Sequence, residues 1–436
     1  MSIEQYSLFA NPEEIVNPKS IIGLLHRYTG IDEDVLLKKL SRKKRFVWIK
    51  RKLSTRVYKE IKKLKLKGVY FKKEFKRIYP NKNLASNIIG FVGVDGKGLE
   101  GIEYQFNHLL SQVKDNSKKL HLGKDIYLTI DRYIQYISEK QIKQAVETNN
   151  AKQGVVAVLE VKTGRILALA RFPNFDPNRY SKYNSFDRRN FSVIDSFEPG
   201  STMKVFTMAS IITYKPFLFS KKFRCKGKVV IADATINCTG IHGLIDLYDT
   251  LKHSCNVGII KSVRYLRKKQ LYNTLKSFGF GKKTNCLLPA ETNGILRAVK
   301  EWSGLSKYSI GIGHEISVTS IQLIAAYSAI ANNGIYCQPT IIESIKTSDG
   351  KVLQSFYPRI KGRIIKKRTA KKLLKMMRNV VVSGTAKKAN SKMFTVAGKT
   401  GTAVKFLKSK QVYSDKVLSS FIGIAPYENP DLCMLI

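Results

Sequence analysis

The spacing of apolar and polar positions changes character along this chain. Residues 1–120 set short apolar patches among dense basic clusters, as in VLLKKLSRKKRFVWIKRKLS (35–54) and VYKEIKKLKLKGVYFKKEFKRIYP (57–80). That spacing predicts short charged helices. Glycines interrupt it in GFVGVDGKGLEGIE (90–103). From residue 123 onward, KDIYLTI (124–130) predicts a strand and RYIQYISEKQIKQAVETN (132–149) a helix. GVVAVLEV (154–161) and RILALA (165–170) are apolar, β-branched runs joined by a turn that ends in Gly164, which predicts a hairpin. FTVAGKTGTAVKF (394–406) reads as one extended stretch, followed by strands in VLSSFIGIAP (417–426) and DLCMLI (431–436). An antiparallel sheet built from both ends of this region, with helical segments 201–335 between them, gives an α+β class. No internal repeat is apparent.

Composition narrows this picture. A 436-residue chain with 43% hydrophobic and 10% aromatic residues has room for two or three domains and a large core. Lys and Arg number 77 against 32 acids, a formal net charge of +45. Such an excess suits nucleic acid, anionic lipid or an anionic polymer. The basic residues are spread over most of the chain, which is the pattern of solvated surface, so no nucleic-acid partner is expected. No apolar run approaches the roughly 18–20 residues of a membrane span, and SIEQYSLFANPEEI after Met1 has neither a basic nor an apolar leader segment. The six cysteines, Cys225, Cys238, Cys255, Cys286, Cys337 and Cys433, form no C-x-x-C pair. Zinc and dithiol redox sites are therefore not expected. Pairing of Cys225 with Cys238 in an oxidising compartment is one reading and separate buried thiols the other. Gly96, Gly98 and Gly101 spell G-x-G-x-x-G, but Asp95, Glu100 and Glu103 crowd that loop and would repel a pyrophosphate. A structural glycine loop is expected, and no cofactor.

Chemistry enters at EPGSTMKVFTMASII (198–212), where Ser201 opens an apolar helix and Lys204 comes one turn later. Positions i and i+3 share a helical face, about 5–6 Å apart at Cβ. A serine hydroxyl is a poor nucleophile until a base takes its proton, and lysine is that base only when neutral, a state that burial and nearby positive charge favour. The helix start also turns backbone N–H groups towards a developing oxyanion. TLKHSCNVGII (250–260) supplies Ser254, able to relay a proton to a leaving amine, and Asn256, able to hold a substrate amide. Lys-Thr-Gly occurs twice. Lys162-Thr163-Gly164 precedes the serine and is accounted for by the hairpin turn. Lys399-Thr400-Gly401 lies among small residues that let a ligand backbone approach a strand. There Lys399 brings positive charge to a substrate carboxylate, with hydroxyl contacts from Thr400 and Thr402. Each motif alone has an ordinary reading as a cap, a turn or a surface lysine. Their order, S-x-x-K then S-x-N then K-T-G, is that of serine β-lactamases and penicillin-binding proteins.

With FEPGSTMK, HSCNVG and VAGKTGTA in that order, the chain resembles the class B penicillin-binding proteins, monofunctional peptidoglycan transpeptidases, and most closely their septal, cell-division branch. RIYPNKNLASNIIGFVGVDGKGLEGIEYQFNHLL (77–110) resembles that family's junction between pedestal and catalytic domain, and GIGHEISVTSIQLIAAYSAIANNG (311–334) and VVVSGTAKKA (380–389) resemble its helical region. The resemblance implies a pedestal, dimerisation-like domain over 1–122 and a penicillin-binding transpeptidase domain over 123–436. It implies Ser201, Lys204, Ser254 and Asn256 as catalytic and Lys399, Thr400, Gly401 and Thr402 as substrate-binding, with the N–H groups of Ser201 and Thr402 as oxyanion hole. No metal or cofactor is implied; His314-Glu315 lacks the second His of H-E-x-x-H. Implied partners are peptidoglycan stem peptides or their lipid-linked precursor, β-lactams, a membrane glycan polymerase and divisome proteins, with the catalytic domain on the extracytoplasmic side of the cytoplasmic membrane.

The chain departs from the family in three ways. It opens after the family's cytoplasmic tail, membrane helix and R-G-x-I-x-D-R-N-G-like segment. It stops before the family's closing strand and helix, so a trimmed chain or a misplaced start and stop is expected. It also has Cys255 where the family often has serine, and that side chain is expected to face away from the cleft. The expected reaction is attack on a D-alanyl-D-alanine stem peptide through an acyl-serine, with transfer to a neighbouring strand's amine. The rivals are a β-lactam sensor or β-lactamase-like acylase, for which no deacylating base is evident, and a basic nucleic-acid or scaffold protein.

Overall fold

The computed structural model describes residues 1–436 apart from 112, 115–119, 122, 232 and 408–411. The N-terminal part is a three-stranded antiparallel sheet under three helices: β1 (Ser2–Ala10), α1 (Lys19–Thr29), α2 (Glu33–Leu40), β2 (Val47–Leu53), α3 (Thr55–Lys63) and β3 (Val69–Arg77), in strand order β2-β1-β3. Its core joins Leu8, Ile22, Leu25, Leu36, Leu40, Ile49, Leu53 and Ile61. Asp32 caps α2 by accepting from the N–H groups of Asp34 and Val35, and Ser54 caps α3 through Val57. The helices expected across 35–54 and 57–80 are thus only partly found, because Val47–Leu53 and Val69–Arg77 are strands. In β2, Val47, Ile49 and Leu53 are buried while Lys50 is exposed. The abundant lysines and arginines hide this period of two by filling outward positions on either element.

The glycine loop behind this sheet is a backbone crossing. A Cβ on Gly98 would lie 1.8 Å from the Glu103 carbonyl oxygen, and one on Gly90 1.8 Å from that of Glu100. Glu103 is buried and meets Arg77 Nε of β3 at 2.6 Å, so an acid of this loop ties down the end of the pedestal sheet. At Gly90 and Gly98 the loop closes on its own backbone. Residue 122, where the expected domain boundary falls, lies outside the described residues.

Beyond it, β4 (Asp125–Leu128) and α4 (Arg132–Thr148) precede the hairpin β5 (Gly154–Glu160) and β6 (Ile166–Phe172). The first Lys-Thr-Gly closes this hairpin. Gly164 takes φ +77°, and the exposed Lys162 reaches Asp431 at 3.3 Å. Next come α5 (Lys204–Tyr214), then β7 (Phe223–Cys225), β8 (Lys228–Ile231), β9 (Ala234–Asn237) and β10 (Gly243–Ile245) as two small hairpin-like pairs, β7 with β10 and β8 with β9. The segment 201–335 therefore supplies helices between the two ends of the sheet, as expected, but with long irregular stretches and a β excursion at 223–245. After it come α6 (Asn256–Val263), α7 (Ser320–Ala331), β11 (Ile342–Lys346), α8 (Lys367–Ser383), β12 (Ala397–Leu407), β13 (Val412–Ala425) and β14 (Leu432–Leu435). The main sheet runs β12-β13-β14-β5-β6, antiparallel throughout. The expected strand at 124–130 exists as β4 but pairs with β11 in a separate sheet.

One face of the main sheet is covered by α4, whose Ile142 and Val146 meet Val156, Val158, Ala168 and Ala170. The other face carries the large core, centred on α7, all twelve of whose residues are buried. A helix apolar on every side belongs inside a domain. Tyr327 of α7 donates to the Thr202 carbonyl at 2.7 Å, fixing the turn that begins α5.

Two glycines of the loop separate the structural reading from a ligand-binding one. Gly98→Ala should destabilise by about 3 kcal/mol or more, since its Cβ must displace backbone. Gly96→Ala, at φ +77° with nothing within 4 Å, should cost only about 1–2 kcal/mol for the left-handed conformation. Urea midpoints of the two variants check this, and equal shifts would contradict the packing described.

Candidate active site

Gly200–Met203 forms a tight 3-10 turn that runs directly into α5, and Ser201 stands on it, half-buried. The turn is clamped on both sides. Gly200, at φ +52°, donates to the Gly313 carbonyl at 3.1 Å, and a Cβ on it would lie 2.7 Å from the Thr402 carbonyl oxygen of β12. Only glycine brings the serine turn this close to the strand. Gly401 does the same from the other side, since a Cβ there would sit 2.7 Å from Thr202 Cγ2 and 3.1 Å from the Pro199 carbonyl oxygen. Glu198, just upstream, meets His314 Nδ1 at 2.8 Å and accepts from the Glu315 N–H at 3.0 Å, so His314-Glu315 serves to anchor the turn.

Lys204 faces inward from the first turn of α5 and is 1% exposed. Its Nζ donates to the Ser254 carbonyl (2.5 Å), to Ser254 Oγ (3.2 Å) and to Asn256 Oδ1 (2.6 Å). Lys399, in mid-strand on β12, is fully buried and donates to the same Ser254 Oγ at 3.0 Å and to the Thr400 carbonyl at 2.8 Å. One hydroxyl thus lies between two lysines. Ser254 holds this place in a left-handed conformation, φ +54°, just before α6. Asn256 opens α6 and donates through Nδ2 to the Asn237 carbonyl at 2.8 Å. Thr400 Oγ1 pairs with Thr385 Oγ1 at 2.8 Å, half-buried, and Thr402 is exposed.

Burial disfavours the ammonium form of both lysines. It pushes Lys204 down from its ordinary range to about 8, against a partial pull upward from the neighbouring Cys238 and Cys255. Burial, and after it the charge of Lys204, holds Lys399 well below its usual range. A lysine deprived of water beside a serine at the start of its own helix is equipped to take up a proton near neutral pH.

All eight residues singled out from the motifs come to one place: Ser201, Lys204, Ser254, Asn256, Lys399, Thr400, Gly401 and Thr402. One expectation changes in form. Lys399 does not stand in the cleft, because its charge is delivered inward to Ser254, and the Thr400 and Thr402 hydroxyls are the groups of this strand that reach solvent. Motif reading missed Thr385 and Asn237, which hold Thr400 and Asn256. For Thr385 the signal was the Ser-Gly-Thr of 383–385. It also missed the company kept by Cys255. That thiol is fully buried, out of the cleft as expected, but it is not isolated: Cys225, Cys238, His242 and Cys255 have all four ligand atoms within 4.8 Å of one another.

Residues 154–436 match the family model of the penicillin binding protein transpeptidase domain, and residues 1–118 that of the penicillin-binding protein dimerisation domain. The chain is 32% identical over 460 residues to the probable peptidoglycan D,D-transpeptidase PenA of Neisseria gonorrhoeae, covering 100% of this chain and 77% of that one. It is 31% identical to the peptidoglycan D,D-transpeptidase FtsI of Buchnera aphidicola subsp. Schizaphis graminum, covering 99% and 78%. Among solved structures it is similar to penicillin binding protein 3 of Mycobacterium tuberculosis complexed with ampicillin, with TM-score 0.79, 29% identity and 83% of each chain covered. It is also similar to a peptidoglycan synthetase from Bifidobacterium adolescentis, with TM-score 0.76, 27% identity, and 100% of this chain and 87% of that one covered.

Proposed function

The chain belongs to the class B penicillin-binding proteins, and from that premise we propose how its own residues carry out peptidoglycan D,D-transpeptidation. Ser201 Oγ attacks the carbonyl between the two terminal D-alanines of a stem peptide while Lys204 Nζ takes its proton. The oxyanion forms against the N–H groups of Ser201 and Thr402. As the C–N bond breaks, Ser254, fed by the two lysines, returns a proton to the departing D-alanine amine. A neighbouring strand's amine then attacks the acyl-serine, loses its proton by the reverse route and frees Ser201. Asn256 holds the peptide amide, and Thr400 and Thr402 receive the terminal carboxylate, with Lys399 strengthening that field from below. A β-lactam presents the same acyl group and carboxylate and is captured on the same serine.

The observation that carries this reading is the buried Lys204, one turn from Ser201 and hydrogen-bonded to both members of the second motif. Septal wall synthesis is the proposed setting, on the strength of relatives such as FtsI. A membrane glycan polymerase and divisome proteins are the proposed partners, with the catalytic part on the extracytoplasmic face of the cytoplasmic membrane. Among the described residues no helix is long and apolar enough to cross a membrane. The proposed domain division is 1–122 for the pedestal and 123–436 for the transpeptidase.

Mass spectrometry of the chain after a penicillin should place one adduct on the peptide carrying Ser201, and Ser201→Ala should take none; an adduct elsewhere would refute the assignment.

Lys204→Arg keeps the charge but stays protonated, so acylation should fall at least about 10²-fold, the low end for a general base. In the unaltered chain the active form of Lys204 is the neutral one. Acylation should therefore rise with pH and level off above about 8, not near the ordinary lysine range. Stopped-flow labelling across pH measures both.

The two Lys-Thr-Gly copies should respond oppositely. Lys399→Ala removes a charge-assisted hydrogen bond worth roughly 1.5–3 kcal/mol and should slow acylation about ten- to a hundred-fold. Lys162→Ala trims an exposed turn, so it should change stability by about 0.5 kcal/mol or less and leave the rate alone. A fluorescent penicillin and a thermal melt report both; a slow Lys162→Ala would place the third motif on the wrong strand.

A further inference from the structure

The serine machinery has a second cluster behind it that the reaction does not use. Cys225 ends β7, Cys238 comes just after β9, His242 precedes β10 and Cys255 stands at the start of α6. In sequence they read C-x12-C-x3-H-x12-C. Cys225 Sγ lies 3.5 Å from His242 Nδ1, Cys238 Sγ 3.6 Å from the same nitrogen, and Cys238 Sγ 3.6 Å from Cys255 Sγ. Around a tetrahedral zinc, bonds of about 2.3 Å to sulfur and about 2.0 Å to nitrogen put ligand atoms roughly 3.6–3.8 Å apart. Three edges of this cluster match those of such a tetrahedron, and all four ligand atoms lie within 4.8 Å of one another.

We propose that Cys225, Cys238, His242 and Cys255 form a closed, structural zinc site that holds the Ser254-Cys255-Asn256 turn in its catalytic position. Four protein ligands leave no open coordination place, the mark of a structural metal and not a catalytic one. The three thiols give up their protons to solvent on binding, and His242 binds through Nδ1, the nitrogen that faces them. The surroundings suit metal-bound thiolates. The Gly258 N–H donates to Cys255 Sγ at 3.3 Å. The His242 ring is seated on that of His253, with centroids 5.3 Å apart at 27°. Cys225 and Cys255 are buried, while Cys238 and His242 are half-buried and give the ion a way in. A disulfide is the poorer use of these atoms, since any pair among three cysteines strands the third.

The coupling to catalysis is short. Cys255 lies between Ser254 and Asn256, and Cys238 is next in sequence to Asn237, whose carbonyl accepts from Asn256. A metal joining Cys238 to Cys255 therefore clamps the β8–β9 hairpin to the turn that carries both catalytic side chains.

The test uses the whole chain, purified without a metal-affinity tag. Elemental analysis after exhaustive dialysis should find about one zinc per chain, the stoichiometry of a single four-ligand site. Replacement with cobalt(II) chloride should give thiolate-to-metal charge transfer and the d–d bands of a tetrahedral site. Cys225→Ser and His242→Gln should each bind zinc at least about tenfold more weakly, and Cys433→Ala, far from the cluster, should keep it. Stripping zinc with a chelator should lower the melting temperature and the penicillin-labelling rate, and zinc sulfate should restore both. If Cys225→Ser does not fold, metal content of the unaltered chain and of His242→Gln decides. A zinc-loaded chain that penicillin fails to label would establish the metal and count against the acylation reading instead. A metal-free native chain with three freely titrating thiols, a disulfide within the cluster, or an octahedral cobalt spectrum would overturn the site.

Discussion

Two lysines share one hydroxyl, and much of the catalytic domain is arranged around that fact. Lys204 and Lys399 both donate to Ser254 Oγ, and both are out of water. Each ammonium loses hydration there and opposes the other, a cost that persists only where the surroundings hold both in place. Three elements do this. The all-apolar α7 backs the turn of Ser201 through Tyr327. The edge strand β12 is held by its ten-residue register with β13, from Ala397 opposite Ile424 to Leu407 opposite Val412. The start of α6 fixes Ser254 in a left-handed conformation that its own side chain would not choose. The strained turn, the buried charges and the cysteine cluster lie within a few residues of one another, and it is there that the core departs from simple apolar packing.

The same constraint explains why glycine recurs around the site. Gly200 and Gly401 put the serine turn and β12 at backbone contact. Gly398 lies one residue before Lys399, where a Cβ would meet the Phe421 ring at 2.6 Å and the Ile422 carbonyl oxygen at 2.6 Å. Small residues on either side let β12 press into its neighbours deeply enough for Lys399 to reach Ser254 from mid-strand. The first Lys-Thr-Gly has no such setting. It reverses the chain at an exposed corner, where its lysine pairs with Asp431 at the surface.

Much of this was legible in the sequence where chemistry is local. The three motifs sit on short stretches whose neighbours declare their element: Pro-Gly before a helix, small residues in a strand, a turn before α6. The hairpin at 154–170 and the strands at the chain's end showed through β-branched runs. What stayed hidden was hidden for physical reasons. In β2 and β3 the exposed positions are Lys50, Tyr70, Lys72 and Lys73, and lysine suits a helix surface equally well. The strands at 223–245 are too short to show a period. Lys399 was read as facing a ligand because a lone strand does not tell which face is covered; the depth of the site is a property of β12 together with α6. The cysteine cluster lay beyond motif reading because its four ligands come from four loops with wide gaps, and only the β excursion folds them together.

That excursion bears on how the site holds its shape. Residues 223–245 contribute little to the large apolar core, and on packing alone such a segment would be among the first to open. Yet it carries Asn237, on which Asn256 depends, so loosening there reaches Lys204 through a single side chain: Lys204 to Asn256 at 2.6 Å, Asn256 to Asn237 at 2.8 Å. A domain that relies on so thin a support needs another tie at the same point. The three thiols and His242 converge at that point, at the ends of the two strand pairs and the root of α6. The Ser254 hydroxyl is thereby held by two buried amines, and the residue after it, Cys255, belongs to the cysteine-histidine cluster.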